Sequence, residues 1–271
     1  MSIKHKCVKN WNILVKKTFC ELNLSNLSCP ENMDTNNIIK KNCQNYNKIS
    51  IETCIHDTSI WLNIEKDVVT SDKNLCIACV YIPPVRSNFY KLYNCDLFAD
   101  LENSIELYSS LGNVILLGDT NSRTGAIDDF VSNDSIHTTI RNRLDDIFYY
   151  SADIELNVRN NPDNNTNCYG PKLISLCKAS GLRILNGRHK NGFANDFTFC
   201  GANGMSVIDY LLVPVSLFPI VRQLIVSNFT TFSDHAFLHI QLSLLCNKQN
   251  STPFFPGDEN GEKLSHIRTK E

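Results

Sequence analysis

The rhythm of apolar and polar positions changes at Lys48. Before it, residues 1–47 are polar, asparagine-rich and weakly periodic; Asn12-Ile13-Leu14-Val15 offers one short strand, and Ser28 to Asn47 reads as loop. After it, Ile49-Ser50-Ile51-Glu52-Thr53-Cys54-Ile55 alternates as a half-buried strand does. Ile60 to Ile64 and Leu75 to Tyr81 follow, joined through the turn-rich Lys66 to Asn74 as a hairpin. Pro83-Pro84 ends that strand, since proline has no N–H to give to a ladder.

Phe89 to Leu111 carries apolar residues at Leu92, Leu97, Leu101, Ile105 and Leu107 with no proline or glycine before Gly112, which predicts one helix closed by that glycine. Asn113-Val114-Ile115-Leu116-Leu117-Gly118 is a continuous apolar run, the mark of a strand buried on both faces. Asp128 to Asn167 is a long polar loop, and Pro171 to Ser180 is a second helix stopped by Gly181. Strands are then expected at Leu182–Leu185, Phe197–Cys200, Ser206–Val213, Ile220–Phe229 and Ala236–Leu245. Two helices between many strands predict an α/β layered sandwich, with sheets inside and helices outside. The domain is placed at residues 48–246, between a poorly ordered or degenerate N-terminal segment (1–47) and a disordered polar tail (247–271).

Composition alters this picture little. The 271 residues are 42% hydrophobic and 20% charged, with a formal net charge of −2, ordinary for a globular domain with a sizeable core. A strongly basic chain would point to nucleic acid through electrostatics alone; here any case for DNA must come from the site. The start of the chain is polar and lysine-rich, without the apolar core of a secretory signal. Localisation in nucleus or cytoplasm is therefore expected, and the 12 cysteines read as reduced, buried thiols. Cys76 and Cys79 form a CxxC, but three residues apart on a strand they point to opposite faces, which argues against a zinc site. No apolar stretch reaches the roughly 20 residues that span a bilayer.

Three polar interruptions carry the candidate chemistry. Gly118-Asp119-Thr120-Asn121 follows a buried strand, and sites in α/β folds gather beyond the carboxyl ends of strands. On extended chain Asp119 and Asn121 share one face, one offering a charge for metal or proton and the other a neutral donor for a phosphate oxygen. A plain turn is the competing reading, as all four residue types favour turns. Ser206-Val207-Ile208-Asp209-Tyr210-Leu211-Leu212 sets a carboxylate among apolar residues, so Asp209 needs a partner: an imidazole, or an arginine such as Arg222. Ser233-Asp234-His235 precedes the last strand, where a histidine beside an aspartate can bind metal or donate to an oxyanion.

In this order, Val80-Tyr81-Ile82-Pro83-Pro84, Gly118-Asp119-Thr120-Asn121-Ser122-Arg123-Thr124-Gly125, Ser206 to Tyr210 and Ser233-Asp234-His235 resemble the endonuclease/exonuclease/phosphatase superfamily, which includes deoxyribonuclease I and the apurinic endonucleases. The likeness is nearest to the endonuclease domains of non-LTR retroelements, which share the Tyr-Pro-Pro strand end, the Asn-Ser-Arg-Thr-Gly extension and a helix like Leu173 to Leu185 ending in Leu-Asn-Gly. It covers roughly Lys48 to Leu245. It implies a deoxyribonuclease I-like sandwich of two β-sheets flanked by helices, and a Mg²⁺-dependent endonuclease or phosphodiesterase acting on DNA, with Mn²⁺ as an alternative cofactor. By the same resemblance Asp119 orients and deprotonates the attacking water, Asn121 holds the phosphate, and His235 stabilises the phosphorane. Asp209 would orient that imidazole, Asp234 would assist at the metal, and Tyr81 would reach a phosphate oxygen.

Two departures stand out. Thr120 occupies a position where the family carries an apolar residue, with little consequence expected. The family's principal metal ligand, a glutamate followed by threonine on an early strand, has only Glu52-Thr53 as a counterpart, and the 28 residues from Glu52 to Tyr81 are consumed by the hairpin. Glu52 is therefore expected to be an outward-facing strand residue, and the fold to lack its first strands unless a protein partner or missing segment completes it. An active DNA endonuclease of retroelement origin and an inactive remnant that binds nucleic acid or protein both follow from these observations. Hydrolysis of inositol phosphates or sphingomyelin, also found in the superfamily, is disfavoured by the Asn-Ser-Arg-Thr-Gly stretch. No reverse transcriptase is expected after the last strand.

Overall fold

The computed structural model describes residues 49–53, 58–69, 71–133, 137, 152–190 and 194–243. The expectations for segments 1–47 and 247–271, and for the strand at Asn12 to Val15, lie outside these residues. Six strands form the main sheet: β1 (Ile49–Thr53), β2 (Ser59–Ile64), β3 (Asn74–Tyr81), β4 (Gly112–Asp119), β5 (Leu182–Ile184) and β8 (Asp209–Pro214). Their spatial order is β1-β2-β3-β4-β8-β5. The pairing of β3 with β4 is parallel and the others are antiparallel. β6 (Phe199–Gly201) and β7 (Gly204–Ser206) form a hairpin, while β9 (Val221–Val226) and β10 (Leu238–Leu242) form a second two-stranded sheet. A one-turn helix α1 (Lys66–Val69) lies between β2 and β3.

Strand alternation sorts the main sheet into two faces. Cys76, Ala78, Val80, Val114, Leu116, Tyr210 and Leu212 pack toward α3 (Leu97–Leu111) and α4 (Tyr169–Ser180). Leu75, Ile77, Cys79, Ile115, Leu117, Leu211 and Val213 pack toward β9 and β10 through Leu224 and Ile240. The result is three layers, helix on sheet on sheet, in an α/β architecture. Cys76 and Cys79 fall on opposite faces, as strand periodicity requires, and burial pushes their thiols up to about 11 and about 12. They are structural residues rather than a metal pair.

Two elements differ from the sequence reading. The helix expected over Phe89 to Leu111 is broken into α2 (Phe89–Leu92) and α3, because Asp96 starts a new helix by accepting from the Phe98 N–H (3.1 Å). The buried stripe of α3 is accordingly Leu97, Phe98, Leu101, Ile105 and Tyr108, while Leu92 and Leu107 are exposed. The strand expected over Ser206 to Val213 is divided between two sheets. Ser206 belongs to the hairpin and Asp209 opens β8, and at the crossing the Thr198 hydroxyl accepts from the Ile208 and Asp209 N–H groups (3.0 Å each). Gly181 closes α4 in the left-handed region (φ 72°), as its position predicts.

Gly118 shows how closely β3 and β4 meet. Its φ is 137°, and a Cβ there would stand 2.0 Å from the Val80 carbonyl oxygen. Only glycine permits this approach, and the next residue in β4 is Asp119.

Candidate active site

Asp119 ends β4 and Asp209 begins β8, and the antiparallel register makes them direct cross-strand partners. Each lies two residues from an apolar residue of the face toward β9 and β10, Asp119 after Leu117 and Asp209 before Leu211, so both carboxylates project there. Tyr81 is the parallel-register partner of Asp119 on β3 and lies on the same face, half-buried. Asp119 and Asp209 are 4% and 6% exposed. Like charges placed directly across a strand pair are destabilising, so something must neutralise them.

His235, from the segment leading into β10, supplies part of the answer. Its Nδ1–H donates to Asp209 Oδ2 at 3.0 Å, with Oδ1 at 3.2 Å, while Nε2 stands 4.0 Å from Asp119 Oδ2. The imidazole therefore bridges the two carboxylates, and Arg222 is not the partner of Asp209 in this arrangement. The ring is steadied by Phe199 in an edge-to-face contact (centroids 4.9 Å apart) and by backbone bonds that lace its segment to the hairpin strand, Cys200 N–H to Asp234 O and Ala236 N–H to Thr198 O (2.8 Å each). Burial works against the charged ring, but the Asp209 hydrogen bond and the charges of Asp209, Asp119 and Asp234 prevail and push its pKa up to about 9. It is an imidazolium at neutral pH. Burial, reinforced by the Asp209 charge, holds the Asp119 carboxyl well above the usual carboxylate range.

Asn121 does not continue the strand. It takes a left-handed conformation (φ 49°), which asparagine tolerates better than other side chains. Its N–H donates to Asp119 Oδ1 (2.8 Å), and its amide donates to Asp119 Oδ2 (3.1 Å) and to the Ile82 carbonyl (2.9 Å). Asn121 thus lies in a turn, and from there it holds Asp119. Thr120 is buried, and its hydroxyl donates to the Ile208 carbonyl at 3.3 Å, which is why a polar residue is accommodated there.

The Ser-Arg-Thr-Gly extension is structural. Arg123 makes a two-pronged pair with Asp163 (2.8 and 2.6 Å), whose Oδ2 also accepts from the Val207 N–H at 3.1 Å. Burial opposes the Asp163 charge, but Arg123 and the Val207 and Asn165 N–H groups keep its pKa below the ordinary value. The Tyr210 hydroxyl lies 2.9 Å from the Ser122 carbonyl and 2.8 Å from that of Val207. These bonds clamp the loop after β4 to the lead-in of β8, so Asp119 and Asp209 are fixed from both sides.

Asp234 is exposed and stands outside the three-residue group of Asp119, Asp209 and His235, whose potential ligand atoms all lie within 4.8 Å of one another. Its charge still acts on both Asp119 and His235. Glu52 sits on edge strand β1 as the register partner of Trp61, which packs on the helix face, and it accepts from the Tyr108 hydroxyl (2.7 Å). It is thus an exposed residue on the face opposite Asp119.

Three supporting residues escaped the sequence reading. Thr198 orders the start of β8. Asn167 accepts from the N–H groups of Arg123, Tyr169 and Gly170 and donates to the Asn121 carbonyl. Asn186 donates to the Asp209 carbonyl and accepts from the Leu211 N–H. Only Asn186 left a trace in the sequence, as the asparagine of Leu-Asn-Gly; that tripeptide follows β5 rather than a helix.

No family model and no curated protein matches the chain. Among solved structures, the 3′–5′ exonuclease NExo of Neisseria meningitidis is similar at 15% identity over 72% of this chain and 70% of its own, with a TM-score of 0.43. The endonuclease domain of TRAS1, a telomere-specific non-LTR retrotransposon, is similar at 14% identity over 72% and 68%, with a TM-score of 0.40. The AP endonuclease LMAP of Leishmania major is similar at 11% identity over 68% and 54%, with a TM-score of 0.43.

Proposed function

We propose that the chain hydrolyses phosphodiester bonds, as a divalent-metal-dependent DNA endonuclease of retroelement type. The observation that carries this reading is the bridge that half-buried His235 makes between buried Asp119 and Asp209, assembled from the motifs whose order resembles that nuclease family. With Asp119 ionised, two buried carboxylates against one imidazolium leave a negative charge in excess, which suits a cation. Mg²⁺ is typically bound by one or two carboxylates, with waters and substrate phosphate completing its shell. Asp119 would hold it, with Asp234 beside it. Such an ion supplies neutralisation of phosphoryl charge when bound.

The protein's own groups divide the remaining work. Asp119 is the buried carboxylate positioned to accept a proton from the attacking water. His235 is charged at neutral pH and has its Nδ1–H committed to Asp209, so its Nε2–H is the donor to a phosphoryl oxygen; it acts as an electrostatic stabiliser rather than a base. Asp209 fixes the orientation of the ring. Asn121 holds Asp119 and exchanges a hydrogen bond to a phosphate oxygen when substrate arrives, and Tyr81 offers its hydroxyl from the neighbouring strand.

Nicking of supercoiled plasmid in Mg²⁺ tests the reading, with Asp119→Ala and His235→Ala beside the wild type. We expect Mg²⁺-dependent nicking that drops by roughly 10²–10³-fold when His235 is removed and is abolished without Asp119. A folded wild-type chain with no activity above the variants would sink it. The second reading is then an inactive module that binds nucleic acid or protein. The placement of Glu52 away from Asp119 is the observation in its favour.

A further inference from the structure

Phe232 is 94% exposed, more than any other exposed large hydrophobic residue described, and it lies three residues before His235. It is not on a loose tip. Thr230 and Ser233 form an antiparallel bridge that makes Thr231 and Phe232 the two central residues of a tight turn. The Phe232 N–H donates to the Thr230 hydroxyl (3.3 Å), and the Ser233 hydroxyl accepts from the His235 N–H (3.1 Å). Behind the turn, Ser227 N–H donates to Phe237 O and Phe237 N–H to the Ser227 hydroxyl (2.9 Å each). One short, hydrogen-bonded segment therefore carries both the reacting imidazole and a flat apolar ring held in water.

Resting on the nuclease reading above, we infer that Phe232 is a substrate-contacting residue that stacks on a nucleobase flanking the scissile phosphate. Three residues of chain span at most about 10–11 Å, and successive nucleotides of a strand advance about 3.4 Å. A base within roughly three nucleotides of a phosphate at His235 is therefore in reach of the ring. An aromatic face pairs with any base, but only with one whose own face is free. The residue thus confers a preference for unpaired or easily unstacked positions beside the cut rather than for a particular sequence.

The test uses the full chain and a duplex containing 2-aminopurine beside a single-strand gap. Binding is read by fluorescence in EDTA, and cleavage is read separately in Mg²⁺. Phe232→Ala is expected to leave the melting temperature unchanged, to abolish the fluorescence change on binding and to raise KM for the gapped substrate on the order of tenfold with little effect on kcat. Phe232→Tyr and Phe232→Trp should retain both signals and Phe232→Leu should not. Unchanged fluorescence and KM in Phe232→Ala would overturn the proposal, as would full rescue by leucine. Loss of a dimer on sedimentation, with unaltered DNA kinetics, would overturn it too and assign the ring to a contact between copies. The fluorescence readout does not need cleavage. A wild type that fails to nick yet shows the Phe232-dependent change loses only its catalytic reading, whereas one silent in both assays loses both.

Discussion

Asp209 shows how a single side chain sets the chemistry of another. Its carboxylate takes both of its near contacts from the same imidazole nitrogen, and this bond, with the surrounding negative charge, raises the His235 pKa from its ordinary 6.5 to about 9. Because the folded-state value lies above the unfolded one, the stability contributed by this proton is fully present below about pH 6.5 and is lost as pH rises through about 9. The raised Asp119 carboxyl acts in the same direction, since the folded state again holds the proton more tightly. Thermal melts of the metal-free protein should therefore show a falling midpoint across that window. In Asp209→Asn the midpoint should be lower throughout but flatter across the same window. The same variant should nick more slowly and move the alkaline limb of its residual pH profile to lower pH. An unshifted limb would mean that Asp209 does not hold the imidazole.

Between residue and fold stands the junction of α4 with the loop after β4. Helix N-termini leave backbone N–H groups without partners, and here Asn167 satisfies those of Tyr169 and Gly170 while also binding the Arg123 N–H and the Asn121 carbonyl. Gly170 allows the contact, since a Cβ at that position would meet the Arg123 carbonyl oxygen at 2.0 Å. The helix is thus fastened directly to the backbone of a site residue. Asn167→Ala should cost about 1–2 kcal/mol of stability, as the loss of a helix cap does, measured by urea denaturation. It should also lower kcat more than it raises KM, because Asn121 and with it Asp119 lose their support. A stable variant with unaltered kcat would show that the turn at Asn121 holds itself.

On the scale of the whole molecule, the main sheet separates two environments. One face packs under α3 and α4, where Trp61 stacks on Tyr108 (centroids 4.0 Å apart, planes within 5°) and Glu52 accepts from the same tyrosine. The other face holds Asp119, Asp209 and, through the second sheet, His235. Glu52→Gln should accordingly leave both Mg²⁺ affinity and nicking unchanged, measured by titration calorimetry and by the plasmid assay. A large loss of metal affinity in that variant would show that edge strand β1 reaches the site after all.

Much of this was legible along the chain, and the limits of legibility have physical causes. β2, β3, β4 and α4 were readable because burial on a strand or helix imprints a period on the sequence, and Gly181 because a left-handed helix end selects glycine. The break at Asp96 and the split at Val207-Ile208 carry no proline or glycine to mark them: a cap and a change of sheet each take only one or two hydrogen bonds, and these were supplied by Asp96 itself and by the distant Thr198. The sequence by itself determined which residues are candidates for the site, since Asp119, Asn121, Asp209 and His235 each interrupt or border an apolar element where a polar group needs a reason. Only the tertiary structure decided that Asp119 and Asp209, 90 positions apart, are register partners, that His235 bridges them, and that Glu52 lies on the other side of the sheet. Period-two alternation assigns a side chain to a face within its own strand, but which strands become neighbours, and in what register, is settled by packing between segments distant in the chain.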